Sequence, residues 1–203
     1  MERQKKKEHI RENIIQAIFA LLKERTWESL SSSEICEKAG VSKRTLYVYF
    51  RSQDEMYLEL VRRSFEHMTD ILRPAMALGE TIEDKICNLG ETYLRFMLEN
   101  PIQGELIIGF DEKRYVNAYT KQVEAIRAIA NEYELFHIFH KFNLDSKVYD
   151  SNMAIFLWAY IQGIAQLLHS KGVWMEEYYK TPIQRIIKEQ INLVRIVFEG
   201  VNK

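Results

Sequence analysis

Glycine, proline and cysteine are all scarce in this chain. Its 203 residues include eight glycines, three prolines and two cysteines. So few turn-forming residues argue against a β-sandwich or barrel made of many short strands, and two distant cysteines, Cys36 and Cys87, do not predict a disulfide framework. No apolar run approaches the roughly 20 residues needed to span a bilayer, and the charged first residues do not predict a signal peptide. We expect a cytoplasmic, mostly helical protein that does not enter a membrane.

Motifs of common enzyme active sites are missing as well. The chain contains no G-x-S-x-G, P-loop, H-E-x-x-H or C-x-x-C motif. His137 and His140 are three residues apart, but zinc needs further ligands, and no cysteine or clear third histidine offers itself. Such a pair is more typical of half-buried histidines. We therefore expect no enzyme activity, no metal site and no cofactor.

Positive charge is concentrated at the amino-terminal end. Residues 1–51 contain eleven Lys and Arg against seven Asp and Glu, a net charge of +4, whereas the remaining residues contain seventeen against twenty-two, a net charge of −5. A basic amino-terminal segment followed by an acidic remainder suggests that the amino-terminal end binds a polyanion. Random unevenness of a solvated surface would give the same counts, so charge alone does not decide. The basic segment 3–7 also has two interpretations, an arm along a nucleic-acid backbone or a frayed solubilising terminus.

Helical periodicity and helix-start signals dominate the first part of the chain. Apolar residues recur on one helix face over residues 8–23, at Ile10, Ile14, Ala17, Ile18, Leu21 and Leu22. Ser31 and Glu34 form a capping box that predicts a second helix. Gly40 is typical of the left-handed position just past a helix end, so we expect this helix to end at Ala39.

A third and a fourth helix are predicted after a short turn. Ser42 is typical of an N-cap before a helix over residues 43–50. The pair Ser52 and Glu55 forms another capping box, and the helix that it opens is expected to stop before Pro74. Two short helices joined by residues 39–42 make a helix-turn-helix.

The third predicted helix leaves a cationic face uncovered. Its apolar anchors are Val41, Leu46 and Phe50, and its other positions point outward: Lys43, Arg44, Thr45, Tyr47 and Tyr49. Lysine and arginine reach guanine edges or phosphates, threonine offers a methyl and a hydroxyl group, and tyrosine hydroxyls donate to phosphate oxygens. A helix with such a face fits the DNA major groove. The alternative is a solvated helix with half-buried tyrosines, but the turn, the caps and the cations together favour DNA.

Residues 8–58 resemble the DNA-binding domain of the tetracycline-repressor (TetR) family of bacterial transcription regulators. The resemblance covers about a quarter of the chain and rests on the segment AGVSKRTLYVYFRSQDEM. Its elements are an alanine-glycine-valine-serine turn at 39–42, a threonine-leucine-tyrosine run at 45–47, an aromatic-phenylalanine pair at 49–50, and Ser52. The resemblance implies base contacts from Ser33, Lys43, Arg44 and Thr45. It implies phosphate contacts from Ser31, Ser42, Tyr47 and Tyr49.

Two positions depart from the family pattern. Ser32 stands where an apolar residue is usual, which predicts looser packing of the second helix. Gln53 stands where a lysine often reaches the DNA backbone, and Arg51, two residues earlier, is expected to make that phosphate contact instead.

Residues 75–203 are predicted to form a second, all-helical domain. Apolar stripes at helical spacing cover residues 82–97, 115–142, 150–170 and 183–198. Asn100-Pro101 is expected to end the first of these helices. Residues 169–182 are expected to form a long connection, and Thr181-Pro182 to begin the last helix.

The last two predicted helices are apolar on more than one face. Such helices are buried on several sides, and in a domain this small the second buried face is best explained by another subunit. The TetR resemblance implies the same, because the last two helices of each protomer pair into a four-helix bundle. The predicted interface residues of a homodimer are Trp158, Ile187, Ile191, Leu193, Val194 and Val197.

A group of aromatic and polar residues in the second domain has two interpretations. It could line a partly apolar effector cavity or simply fill the core, and the TetR resemblance favours the cavity. The candidate pocket residues are Tyr93, Phe96, Met97, Phe110, Tyr133, His137, Trp158 and Gln162.

The sequence thus predicts an all-α protein of about nine helices. Residues 1–52 would form a helix-turn-helix DNA-binding domain, and residues 53–203 an effector-binding and dimerisation domain, with the fourth helix linking the two. The function expected is that of a ligand-released repressor that binds a palindromic double-stranded DNA operator. Two alternatives stay open: a DNA-binding regulator controlled by a protein partner, and a small-molecule-binding protein that no longer binds DNA.

Overall fold

The computed structural model describes residues 2–133, 138–139 and 151–201, and the regular structure in these ranges is entirely helical. The described α-helices are α1 (Glu2–Leu21), α2 (Ser32–Ala39), α3 (Lys43–Tyr49), α4 (Gln53–Ala77), α5 (Ile82–Glu99), α6 (Pro101–Ile108), α7 (Glu112–Tyr115), α8 (Thr120–Ala130), α9 (Ser151–Tyr179) and α10 (Ile183–Val201). Single 3₁₀ turns occur at Trp27–Ser29 and Asn131–Tyr133. The predicted all-α class is confirmed.

Contacts between residues divide the chain into two compact units. The amino-terminal unit consists of residues 1–63 together with 110–124, and the carboxy-terminal unit of residues 64–109 together with 125–203. This division differs from the predicted boundary after residue 52. The first turns of α4 bury Met56, Leu60 and Val61, so they belong to the core of the amino-terminal unit.

The amino-terminal unit is built around the predicted apolar stripes. Helix α1 buries Ile14, Ile15, Ala17 and Ile18. Three of these belong to the predicted face, and the other three members of that face are partly buried: Ile10, Leu21 and Leu22. Helix α3 is anchored by Leu46 and by Phe50 just past its end, both fully buried, whereas Val41 is only partly covered. The side-chain amide of Asn13 donates to the carbonyl oxygen of Ala39 at 2.7 Å, which fixes α1 against the turn between α2 and α3.

A buried carboxylate ties α1 to α4 within this unit. The side chain of Glu59 is only 7% exposed and forms ion pairs with Arg11, Arg62 and Arg63, each at 2.9 Å. Arg63 also reaches Glu12 on α1 at 2.6 Å. Three partly exposed guanidinium groups therefore surround one buried carboxylate.

The carboxy-terminal unit has a core of its own, formed mainly by α5, α9, α10 and the later turns of α4. Buried residues at helical spacing include Leu89, Phe96 and Met97 on α5 and Ile187 and Ile191 on α10. Helix α5 ends at the Asn100 cap, as predicted. Pro101 is the first residue of α6.

The predicted stop before Pro74 is wrong, because α4 continues through the proline to Ala77. A proline inside a helix removes one backbone hydrogen bond, and its ring crowds the carbonyl group of residue i−4, which costs about 3 kcal/mol. The turn that follows buries Ala75 and packs Met76 on the core, and this burial opposes that cost.

The predicted continuous helix over 115–142 is also wrong. Helix α7 ends at Tyr115, the chain turns at 116–118, and α8 begins at Thr120. Tyr115, the last residue of α7, is buried. Residues 134–137 and 140–142 of the predicted helix lie outside the described residues.

The predicted long connection at 169–182 is mostly helix, since α9 extends to Tyr179. Its lone Gly172 is explained by packing, because a β-carbon there would lie 2.9 Å from Ile183. The helix ends where Lys180 takes a positive φ of 52°. The predicted cap at Thr181 is not formed, because its hydroxyl donates to the carbonyl oxygen of Tyr179. The N–H of Ile183 donates instead to the carboxylate of Glu176 at 2.6 Å.

Candidate DNA-binding site

The local signals of the helix-turn-helix all occur as predicted. Ser31 is the N-cap of α2 and forms a complete capping box with Glu34. Gly40 follows α2 with φ 64° and ψ 34°, a left-handed conformation that costs glycine no steric strain. Ser42 caps α3 by accepting the N–H of Thr45 at 3.1 Å. The turn therefore presents α3 at a fixed angle to α2.

Helix α3 exposes cations that have no partner in the described part of the chain. Lys43, Arg44 and Arg51 are all exposed, and no hydrogen bond or ion pair of their side chains is formed within the described ranges. Nearby Arg25, by contrast, is paired with Glu34. The unpaired charges on and beside α3 are therefore available to an anionic partner.

The serine and tyrosine hydroxyls on this surface are largely paired with one another. Tyr47 is 44% exposed, and its hydroxyl is 2.8 Å from that of Ser32. The hydroxyls of Ser42 and Thr45 are 2.9 Å apart. Ser31 donates to the Glu34 carboxylate at 2.6 Å, and its hydrogen bonds, followed by the Arg25 guanidinium, lower the pKa of Glu34. Ser33 is exposed and Tyr49 half-buried.

The two departures from the TetR pattern have structural roles. Ser32 links α2 to α3 through Tyr47, a contact that an apolar residue could not make. Gln53 donates its amide to the carbonyl oxygen of Leu30 at 3.3 Å, so it is engaged by its own unit. The Arg51 backbone N–H donates to Glu55 at 2.6 Å, and the side chain of Arg51 stays exposed.

The structure brings only some of the predicted pocket residues together. Tyr93 on α5 donates its hydroxyl to Gln162 on α9 at 2.6 Å, and burial raises the pKa of Tyr93. Phe96 and Met97 are buried beside them on α5, and Tyr133 packs partly on the same core. Phe110 belongs to the amino-terminal unit, where it stacks on Tyr115. Trp158 is 66% exposed, so this chain does not enclose it, and His137 lies outside the described residues.

The predicted dimer residues separate into an inward and an outward group. Ile187, Ile191 and Val194 are buried in the core of this chain, so they are not available to a partner, and this part of the prediction is corrected. Leu193 and Trp158 are exposed, and Val197 is partly covered. The inward face of α10 packs against α5, so only its outward face is free to contact another protein.

Two absences hold for the described ranges. No group of three or more His, Cys, Asp or Glu side chains there is placed to hold a metal ion. None of the helices in the same ranges is long and apolar enough to cross a membrane.

Known proteins resemble this chain both in the helix-turn-helix and in the fold as a whole. Residues 14–60 match the family described as bacterial regulatory proteins, tetR family. Among solved structures, a protein of unknown function from Rhodococcus sp. RHA1 is 19% identical with a TM-score of 0.71, covering 91% of this chain and 93% of that one. A TetR-family transcriptional regulator from Bordetella parapertussis 12822 is 14% identical with a TM-score of 0.63, covering 92% and 94%.

A third similar structure carries a ligand. The transcriptional regulator FadR from Bacillus subtilis, in complex with stearoyl-CoA, is 14% identical with a TM-score of 0.64, covering 90% of this chain and 96% of that one. At these identities the likeness establishes the fold alone, while the match over 14–60 falls on the helix-turn-helix itself. Residues 14–60 of this chain thus match the tetR family of bacterial regulatory proteins, and the chain shares the fold of these solved structures.

Proposed function

We propose that this protein is a transcriptional repressor that binds a palindromic DNA operator as a homodimer and releases it when an effector binds the carboxy-terminal unit. The observation that supports this most is the exposed face of α3, with Lys43 and Arg44 unpaired in the described structure beside a turn of helix-turn-helix geometry. A helix of this kind enters the major groove with its amino-terminal residues at the base edges. Lys43, Arg44 and Thr45 occupy that first turn.

The roles of the site residues follow from the chemistry of their side chains. Arg44 and Lys43 can donate to guanine O6 and N7 or to phosphates. Hydroxyl groups mostly contact phosphates, and five of them lie on or next to α2 and α3: those of Ser31, Ser33, Ser42, Tyr47 and Tyr49. Ser32 would hold the Tyr47 hydroxyl at a fixed place before DNA arrives, which lowers the entropy cost of that contact.

We expect Arg44→Ala to change which sequence is bound. If Arg44 reads a base, its loss should cost roughly 1–3 kcal/mol and relax selectivity at one operator position. The measurement is selection of binding sites from random DNA by the wild-type protein and by the variant. Lys171→Ala, which removes an exposed cation from the carboxy-terminal unit, is the matched control and should leave the selected sequence unchanged. Identical preferences for wild type and Arg44→Ala would remove Arg44 from base readout.

We expect Tyr47→Phe and Tyr49→Phe each to weaken operator binding while the protein stays folded. A hydroxyl-to-phosphate bond contributes about three- to tenfold in affinity, and its loss should weaken every DNA sequence alike. Fluorescence anisotropy on operator DNA measures the affinity, with circular dichroism as the control for folding. Unchanged binding by both variants would contradict the phosphate role.

Dimerisation is supported by an exposed apolar face on α9 and α10. Ile155, Phe156, Trp158 and Leu167 on α9 are exposed, as are Leu193 and Ile196 on α10. Gly163 lies on the same exposed side of α9, and a β-carbon there would meet nothing within 4 Å in this chain. Glycine inside a helix costs about 1 kcal/mol relative to alanine, a cost that close approach of a second helix would offset. A twofold dimer would place its two α3 helices about 34–36 Å apart, or a multiple of that, for a palindrome.

The effector we propose is small and partly apolar. Its support is the region around Tyr93 and Gln162, where a neutral hydroxyl–amide pair lies next to buried Phe96 and Met97. The similar FadR structure, which contains stearoyl-CoA, makes an acyl ligand a sensible first probe. Thermal melting with stearoyl-CoA, stearate and CoA alone tests this, since a ligand at 100 times its Kd should add about 2.7 kcal/mol of stability. A ligand that stabilises the protein without releasing the operator would contradict ligand-controlled repression, and the protein-partner alternative would then be favoured.

A further inference from the structure

The amino-terminal unit contains a segment that comes from far along the chain. Residues 110–124 cluster with residues 1–63, although the stretches on both sides of the segment, 64–109 and 125–203, belong to the other unit. The family match ends at residue 60 and does not include this segment. The compact unit that carries α3 is therefore discontinuous in sequence.

Aromatic stacking attaches segment 110–124 to α4 and to the turn before α2. The rings of Tyr57 and Tyr115 are stacked with centroids 5.5 Å apart, Trp27 lies 5.7 Å from Tyr57, and Phe110 stacks on Tyr115 at 6.2 Å. Tyr57 is 7% exposed and Tyr115 4%. Burial raises the pKa of Tyr57 to about 12 and raises that of Tyr115 as well. Aromatic pairs of this kind add about 0.5–1.5 kcal/mol each beyond the area that they bury.

A hydroxyl pair then connects the segment to the joint between α3 and α4. The hydroxyl of Tyr119 is 2.7 Å from that of Ser52, and the Ser52 oxygen also accepts the N–H of Glu55 at 3.0 Å as part of the cap of α4. Ser52 is two residues past Phe50, the buried residue that ends α3. The hydroxyl of Tyr119 is thus bonded to the cap of α4, two residues after the buried anchor of α3.

We infer that segment 110–124 controls the DNA-binding site of this chain, with Tyr119 acting as a positioning residue that sets operator affinity through Ser52. The inference rests on the proposed function and adds a regulatory connection to it. The segment is covalently continuous on both sides with residues of the carboxy-terminal unit. A change of state in that unit reaches α3 through Tyr119 and Ser52 as well as along α4.

The test compares two tyrosine variants that keep the ring. Tyr119→Phe removes the hydroxyl bonded to Ser52, whereas Tyr115→Phe removes a hydroxyl that has no hydrogen bond within the described structure. On operator DNA we expect Tyr119→Phe to weaken binding about three- to tenfold, the usual effect of one hydrogen bond, and Tyr115→Phe to leave it unchanged. Melting of both variants by circular dichroism should stay within a few degrees of wild type.

A double-mutant cycle separates positioning from general stability. Ser52→Ala also removes the α4 cap, so by itself it is not diagnostic, but in the background of Tyr119→Phe its effect on operator affinity should shrink. Hydrogen exchange gives a second readout: operator binding should raise the protection of amides 110–124 in wild type and less so in Tyr119→Phe. Operator binding that is equal in wild type and Tyr119→Phe, with additive effects in the cycle, would overturn this inference. Failure of the wild-type protein to bind any operator would instead overturn the proposed function.

Discussion

Replacing Glu59 by alanine is expected to destabilise the amino-terminal unit by about 1.5–3 kcal/mol, because it removes the charge-assisted hydrogen bonds of three arginines that are themselves still partly exposed. Three arginines from α1 and α4 converge on this one carboxylate, and its removal leaves them facing each other. Urea unfolding followed by Trp27 fluorescence measures the change, in a background with Trp158→Phe and Trp174→Phe so that only this unit reports. Glu12→Ala is the matched control, since Glu12 is 44% exposed and pairs only at the surface with Arg63; it should cost less than about 1 kcal/mol.

The same carboxylate predicts how stability depends on pH. Burial by itself would raise the pKa of Glu59, but hydrogen bonds from Arg62, Arg11 and Arg63 outweigh it and lower the pKa from 4.5 to about 2. Because the folded-state pKa is below the unfolded one, the ionised form stabilises the fold fully above about pH 4.5, and that stability declines as the pH falls towards 2. Glu59→Gln should flatten this part of the profile. Equal unfolding free energies of wild type and Glu59→Ala at pH 7 would contradict the network's role.

The double variant Leu193→Glu, Ile196→Glu is expected to be monomeric and to bind the operator about 10²- to 10⁴-fold more weakly. This is on the order of the gain in affinity that comes from linking two binding sites. These residues are 49% and 60% exposed on the outward face of α10, so the substitution leaves the core of the chain intact. Analytical ultracentrifugation and anisotropy on a full palindrome give the two measurements.

Two further variants make this result interpretable. Lys188→Glu, on the exposed polar side of the same helix, should remain a dimer. Val194→Glu should unfold the unit and not merely separate subunits, because Val194 is buried within the chain and an unpaired ion there is poorly solvated. A folded dimer of the Leu193 and Ile196 variant would place the interface elsewhere on the molecule.

The parts of the fold that were predictable are those decided by neighbours in sequence. The capping box of Ser31 and Glu34, the left-handed Gly40 and the cap at Ser42 each involve residues within four positions of one another. Their backbone requirements are met by few residue types. The helix-turn-helix and its outward cations could therefore be predicted from twelve residues or so.

What the sequence did not predict depends on contacts between distant segments. Tyr115 stacks on Tyr57, and the hydroxyl of Tyr119 contacts that of Ser52. Neither contact can be predicted from helical periodicity, because Tyr57 is an ordinary aromatic residue and Ser52 an ordinary capping residue in the sequence. Which apolar face of α10 turns inward depends on how α10 packs against α5. The two helices are close at Gly90 of α5, where an added β-carbon would lie 3.1 Å from the side chain of Ile191. Helical periodicity gives two apolar faces and no means of ranking them.

Binding of the purified protein to DNA selected from a random pool tests the central claim most directly. At near-physiological salt, the account predicts enrichment of a twofold-symmetric sequence, bound by two chains per palindrome and preferred over a scrambled duplex by at least about 10³-fold. That preference should collapse when Lys43 and Arg44 are both replaced by alanine. Recovery of no preferred sequence, or equal binding of the selected and scrambled duplexes, would contradict the proposal that α3 reads an operator.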